Sequence, residues 1–358
     1  MRKFWKVNLG LFLLFVFVFA SIANIIFGDG NVISNKLIFE GEETHFKNIK
    51  QLTFGGENAE AYFSRDGKQL IFQSKRDGKE YDAIYTMNSD GTDIKMVSLG
   101  EGVTTCSFIS PDGKSIIYAS THLGIYKCPA KPDMSQGYVW PLYEDYDIFQ
   151  ANIDGGNVRQ LTDAKGYDAE CVYSPKGDKI IFTSARTGDL ELFLMNPDGS
   201  NQEQLTNIPG YDGGAFFSLD GEWICWRASR PQGKEYDDYR CLLGKNLIRP
   251  GKLEIYIMNL GDREPIQLTD NGAANFAPYF HPSGKKVIFS SNLDSPKSHN
   301  FELYIIDIET RIVEGITRNS SFDGFPMFSH DGEKLVFASN RNGSKQGETN
   351  IFIVDWED

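Results

Sequence analysis

The chain has 358 residues, a formal net charge of −13 and 13% aromatic residues. That charge excludes a nucleic-acid polyanion as main partner, because such a partner needs a basic footprint; it fits a protein that meets cations, sugars or other proteins. The five cysteines leave two readings open, buried thiols or a bridge such as Cys128–Cys241 in an oxidising compartment.

In chain order, Arg2, Lys3 and Lys6 precede an apolar run from Leu9 to Phe27. A basic segment before an apolar one is the layout of a secretory signal, and Ser21-Ile22-Ala23 supplies small residues for cleavage after Ala23. The run continues through Ile25, Ile26 and Phe27 and approaches the length of a membrane span, so an uncleaved anchor is the alternative. Both readings place the remainder outside the cytoplasm, periplasmic or secreted, with membrane contact only through this segment. Residues 1–27 are therefore expected to be signal or anchor, 28–44 a polar tether, and 45–358 the folded part.

Six related turns then punctuate the chain: Ser64-Arg65-Asp66-Gly67, Ser110-Pro111-Asp112-Gly113, Ser174-Pro175-Lys176-Gly177, Ser218-Leu219-Asp220-Gly221, His281-Pro282-Ser283-Gly284 and Ser329-His330-Asp331-Gly332. Each sits between two short apolar runs, and self-similarity at this spacing signals a repeat architecture. In residues 168–206 the pattern predicts strands over Glu170–Tyr173, Lys179–Thr183, Leu190–Met195 and Gln202–Leu205. The last closes on Leu205-Thr206, and a second turn falls at Asn196-Pro197-Asp198-Gly199. One four-stranded sheet leaves both faces wet and must stack on copies of itself. The strand-four marker recurs as Gln51-Leu52-Thr53, Gln160-Leu161-Thr162 and Gln267-Leu268-Thr269. The expected fold is all-β, a six-bladed β-propeller of four-stranded antiparallel blades with no helix interrupting them. The final repeat lacks a fourth strand and His45–Thr53 is a spare one, so an N-terminal strand should complete the last blade and close the ring.

These four-strand units, with their Leu-Thr, Ser-Pro-Asp-Gly and Ser-Asn-Arg marks, resemble the WD-like repeats of the TolB-like propeller family over residues 45–358. The resemblance is to the propeller, not to the additional N-terminal domain that TolB itself carries. It implies a periplasmic scaffold, a ligand binder or an accessory domain of an enzyme.

Two columns of residues mark where a site would lie. Six residues before each turn stand Asn58, Thr104, Asp168, Asp212, Asn275 and Asp323, all polar and all where the chain reaches an innermost strand. They are expected either to ring one mouth of the central channel or to cap the turns between blades. As a ring, Asp168, Asp212 and Asp323 are candidate ligands for a hard cation such as Ca²⁺, with Glu60 and Glu170 adding charge two residues further in. Nine residues after each turn glycine stand Arg76, His122, Arg186, Arg230, Leu293 and Arg341; the arginines can pair with the acidic column within a blade or between blades. Four insertions, His122–Tyr146, Arg230–Lys252, Asn292–Phe301 and Asn340–Thr349, all fall between strands two and three. All should therefore rise from one face, where long loops on a rigid scaffold usually bind. Trp140 and the neighbouring tyrosines offer flat faces for sugar rings or a protein partner.

No Gly-x-Ser-x-Gly elbow, His-Glu-x-x-His or Cys-x-x-Cys occurs. The expected function is an exported, monomeric scaffold that binds an envelope protein or carbohydrate through one loop-rich face with an acidic central funnel. The alternative is a metal-assisted lyase or hydrolase on polysaccharide or peptide, using His122, Asp133 and the carboxylates of the same funnel.

Overall fold

The turns that organise the chain are closed by their own side chains. In the computed structural model, which describes residues 37–39, 41, 43–125, 132–135, 137–296 and 300–358, the turn serine donates to the aspartate two residues on. The distances are 2.8 Å for Ser64–Asp66, 2.6 Å for Ser110–Asp112 and 2.5 Å for Ser218–Asp220. The same hydroxyl accepts the backbone N–H of the residue that opens strand two, Gln69, Ser115 or Trp223, at 3.0 Å. The turn glycines take φ between 69° and 79°, a region where a side chain is disfavoured.

Each turn joins an inner strand to its neighbour, and six sheets of four antiparallel strands result. Blade three is Asp168–Tyr173, Ile180–Ser184, Glu191–Met195 and Glu203–Gln204, within two residues of the sequence expectation. The Leu-Thr marker has a local cause. Its threonine hydroxyl accepts the N–H of the second residue of strand three, as in Leu192–Thr206 at 2.9 Å and Ile255–Thr269 at 2.9 Å. It donates in turn to a carboxylate at the head of that strand, Glu254 or Glu302, at 2.6 Å. The ring closes as expected: Phe46–Gln51 pairs antiparallel with Asn350–Trp356 and completes blade six.

The core is built from one repeated pair. Five residues after each turn glycine stands a fully buried aromatic: Phe72, Tyr118, Phe182, Trp226, Phe289 and Phe337, each 0% exposed. Each meets an aromatic of strand three, from Trp226–Tyr256 at 5.6 Å to Tyr118–Phe149 at 6.2 Å between centroids. Such pairs add about 0.5–1.5 kcal/mol each beyond the area they bury.

Two features shape the central channel. Every inner strand carries a bulge, and its third residue from the polar column is left-handed: Glu60, Cys106, Glu170, Gly214, Ala277 and Phe325, with φ from 51° to 62°. Two residues beyond, Tyr62, Phe108, Val172, Phe216, Tyr279 and Met327 form a layer across the channel, with Tyr62–Phe216 at 5.1 Å and Phe216–Tyr279 at 5.5 Å. The channel is thus a blind cavity.

One element departs from the all-strand expectation. The blade-four insertion contains a helix, α1, Lys234–Leu243, with Glu235 and Asp237 in its first turn and Arg240 in its last, the charge order that suits the helix dipole. The insertions of blades two and four also pair with each other, Trp140–Pro141 against Leu247–Ile248. Among the described residues no helix is long and apolar enough to cross a membrane; the apolar run Leu9–Phe27 lies outside them.

Candidate functional site

The polar column is buried in the blades. Asn58, Asp212, Asn275 and Asp323 are 0% exposed, and Thr104 and Asp168 are 1%. A residue near the end of strand two holds most of them. Ser74 donates to Asn58 at 2.8 Å, Ser184 to Asp168 at 2.5 Å and Ser291 to Asn275 at 2.6 Å. Blade four has Ala228 at the serine position, and the Trp226 indole N–H reaches Asp212 instead, at 2.6 Å. The amides and the hydroxyl also tie each blade to the one before. Asn58 donates to the Thr349 carbonyl at 2.7 Å, Thr104 to that of Asp82 at 2.9 Å and Asn275 to that of Leu253 at 2.8 Å.

The second column lies directly above, and its arginines pair within their own blades. Arg186 binds Asp168 at 2.7 Å, Arg230 binds Asp212 at 2.6 Å and Arg341 binds Asp323 at 2.7 Å. The guanidinium groups stack on the strand-three aromatics, Arg186 over Phe193 at 4.8 Å and Arg230 over Tyr256 at 5.1 Å. Arg76 covers Tyr85 at 5.6 Å in the same way. His122 takes the place in blade two, 4.2 Å from the Phe149 ring and with Nδ1 2.8 Å from Ser120 Oγ; burial holds its imidazole below the ordinary range. Arg341 also binds Glu43 at 2.7 Å, and Glu43 is 2% exposed. The final residues of the segment read as a tether therefore pack against blade six. Burial raises the carboxyls of Asp168 and, to about 6, Asp212 even beside their arginines.

The open space lies further in. A cavity of about 930 Å³ fills the channel above the sealing layer. Of the polar column only Asn58 reaches its wall, which instead carries Glu60, Cys106, Glu170, Asp82 and Arg227. All four insertions contribute to it, through Trp140 and Tyr146, Arg249, Pro296 and Thr349 among others, so the long loops do gather over one mouth. Glu170 is fully engaged: it forms an ion pair with Arg227 and accepts from Thr183 at 2.7 Å and from the Gly214 N–H at 2.8 Å. Trp140 lies over the Arg227 guanidinium at 5.4 Å and Tyr211 lies over it at 5.5 Å.

Arg227 carries no local mark of its role, because it lies within a largely buried strand, Trp223–Ala228. A signal was present: a Cβ at Gly214 would lie 2.0 Å from Arg227 Nη1, so the Gly213-Gly214 pair opens the space the guanidinium fills. Glu60 differs from Glu170 in forming no ion pair among the described residues, although it feels the Arg227 charge. The Cys106 thiol is its side-chain partner, and burial pushes its carboxyl up to about 7. Asp82, half-buried in the same wall, rises to about 6 by the same desolvation.

Asp168, Asp212 and Asp323 are not brought together, since each stands in a different blade with its own arginine. Among the described residues no group of three or more His, Cys, Asp or Glu side chains is gathered to hold a metal ion. Asp133 lies exposed on the blade-two insertion and accepts from the Ser135 N–H at 2.8 Å. Cys106, Cys171, Cys225 and Cys241 are free thiols; Cys128 lies outside the described residues.

No protein-family model matches the chain. Two curated relatives match: a Protein TolB homolog of Chlorobium luteolum, 24% identical over 145 residues, covering 34% of this chain and 33% of the relative, and an uncharacterized protein of Agrobacterium fabrum, 30% identical over 122 residues, covering 34% of each. The chain thus spans about a third of the length of the curated relatives it matches. Among solved structures, a putative TolB from Agrobacterium tumefaciens matches with a TM-score of 0.57 at 19% identity, covering 84% of this chain and 90% of that one. TolB from Acinetobacter baumannii matches with 0.54 at 21% identity, covering 84% and 64%. An oligogalacturonate lyase in complex with manganese matches with 0.51 at 15% identity, covering 88% and 95%. The chain is a closed six-bladed propeller. Its fold and relatives together fit a TolB-like propeller family, at low identity and partial coverage.

Proposed function

We propose that this protein is an extracytoplasmic binding scaffold that takes its ligand into the blind mouth of the central channel. The observation that supports this most is the wall of the 930 Å³ cavity, to which all four strand-two-to-three insertions contribute. Its size and its mix of aromatic faces with charged and polar groups suit an organic ligand, a sugar or a peptide segment of an envelope protein. The basic and then apolar N-terminal sequence supports export, with that segment as signal or anchor. The residues proposed to bind are Glu60, Asp82, Tyr146, Trp140 and Arg227, with Asn58 at the edge. The other residues of the two polar columns, Thr104, Asp168, Asp212, Asn275, Asp323, Arg76, His122, Arg186, Arg230 and Arg341, hold the blades that carry them. The metal-assisted lyase or hydrolase reading gains nothing from the lyase neighbour, whose likeness at 15% identity is one of fold.

The test is a panel of glycans and envelope-protein peptides against the full-length protein in a non-ionic detergent. Tyr146→Ala should weaken any hit at least about tenfold, a loss of about 1.4 kcal/mol. Asp168→Ala should lower stability and leave the affinity of the folded protein unchanged. The reverse pattern would transfer the site to the polar column.

A further inference from the structure

Three carboxylates beside Asp82 line the cavity, and two of them have cations. Glu57 binds Lys75 at 3.3 Å, and Glu170 forms an ion pair with Arg227. The other cation in the wall, Arg249, binds Asp238 at 3.2 Å. Glu60 and Asp82 have no ion-pair partner among the described residues. The charges left unmatched in the cavity are therefore both negative.

A carboxylate largely withdrawn from water and without an ion-pair partner is unfavourable, and the protein yields to this by raising both groups, Glu60 to about 7 and Asp82 to about 6. The Cys106 thiol beside Glu60 is a weak donor. Aromatic faces lie next to this pair. The Tyr146 hydroxyl feels the charge of both Glu60 and Asp82, and its ring packs against Tyr143 at 5.8 Å and Tyr167 at 5.6 Å. Ring faces attract cations, most of all where water is excluded. Carboxylate and tyrosine thus favour the same kind of ligand group, while the apolar floor at Tyr62 and Phe216 favours hydrocarbon beyond it.

We propose that the ligand of this cavity carries a protonated amine on an apolar body, with the ammonium held between Glu60 and Asp82 against the tyrosine faces. This rests on the reading of the cavity as the binding site. A bare metal ion fits less well, because no third ligating side chain is gathered there among the described residues, whereas an ammonium needs only hydrogen-bond acceptors and ring faces. The arrangement also predicts a pH dependence. Glu60 faces Cys106 from blade two, Glu170 from blade three, Arg227 from blade four and Asp82 of its own blade, and Asp82 also faces Glu57 and Lys75. Protonating Glu60 and Asp82 removes the negative charge that the ammonium needs.

The experiment is calorimetric titration of the full-length protein, in a non-ionic detergent, with phenethylamine, its neutral counterpart 2-phenylethanol, and the neutral disaccharide cellobiose. Phenethylamine should bind at least about tenfold more tightly than the alcohol at pH 7.5, a difference of about 1.4 kcal/mol, and should weaken steadily toward pH 5. Glu60→Gln and Asp82→Asn, both close in shape to the native residue, should each weaken the amine about tenfold and leave the alcohol unchanged. Equal binding of amine and alcohol, or full amine affinity in both variants, overturns the inference. Cellobiose binding that Tyr146→Ala abolishes, with no amine binding, overturns it while leaving the cavity as the binding site. If no probe binds and the glycan and peptide panel is also silent, both readings fall.

Discussion

Two rings of side chains stand two residues apart on the inner strands, and they behave in opposite ways. The outer ring, Asn58 to Asp323, is buried and held in place: each carboxylate has an arginine, and the amides hold the neighbouring blade. The inner ring, Glu60 to Phe325, faces open space, and its first acidic member forms no ion pair among the described residues. The difference comes from the bulge. Inserting one residue into a strand reverses which side chains point across the sheet and which point along the channel. Acidic groups at neighbouring positions of one strand therefore serve different ends, the outer ones joining blades and the inner ones leaving charge in a cavity.

The sharpest way to break this contrast is Arg341→Ala. It strips the cation from two carboxylates at once, Glu43 and Asp323, whose side chains are both 0% exposed. The expected loss is about 3–5 kcal/mol, because an unpaired buried charge remains, read as a fall in the midpoint of urea unfolding. Amine binding by the protein that remains folded should be unaltered. Asp212→Ala comes next. It leaves the Trp226 indole and Arg230 without their acceptor, but the Arg230 side chain is 21% exposed and can turn to water. The cost should be about 2 kcal/mol, again with no change in affinity. A loss of binding in either variant at unchanged stability would place the outer ring in the site.

The repeat made the outer ring legible. Fixed spacing from the turn located both columns, and the same spacing put arginine beside aspartate in three blades. The closing strand and the common mouth of the insertions followed from counting strands. The inner ring was only half visible. Glu60 and Glu170 stood out as acidic residues two positions further in, yet the left-handed bulge residue is Glu, Cys, Glu, Gly, Ala or Phe in the six blades. Only one is the glycine that marks such a backbone, so composition carries no sign of the bulge. Asp82 and Arg227 belong to strands two and three or their approaches, where periodicity reads only core. Glu43 was hidden for another reason: its partner lies 298 residues away at Arg341, and no local pattern reports a contact of that range.

The pH dependence of stability sharpens the comparison across the whole molecule. Burial raises Glu60, Glu191 and Glu302 from 4.5 to about 7 and Asp82 from 3.8 to about 6. Between the ordinary and the raised values the folded protein holds more protons than the unfolded chain, so stability falls as pH rises through that window. The opposite sign applies to Glu348, which hydrogen bonds from Asn350 and Ser344 lower to about 2; its contribution is lost as pH falls below the ordinary range. Thermal unfolding should therefore be most favourable to the fold near pH 5 and should lose on the order of 2 kcal/mol by pH 8. A flat profile over that range would show that these groups are not held in their neutral form.

The smallest effect is also the one with the reversed sign. Glu60→Gln removes a carboxylate that folding makes harder to ionise, and it keeps the shape and an acceptor for the Cys106 thiol. At pH 8 the wild type must ionise Glu60 without an ion-pair partner among the described residues, and the variant need not, so the variant should be more stable by about 1 kcal/mol. At pH 4.5 the carboxyl is largely neutral and the gain should vanish. The same kind of substitution in the outer ring, Asp323→Asn, should destabilise at pH 8, because there Arg341 loses a charge partner. A residue whose removal strengthens the fold is one the fold does not need, and a group kept at a cost to stability is kept for binding. If at pH 8 Glu60→Gln proves as destabilising as Asp323→Asn, the two rings are one structural system and the cavity loses its claim to a ligand.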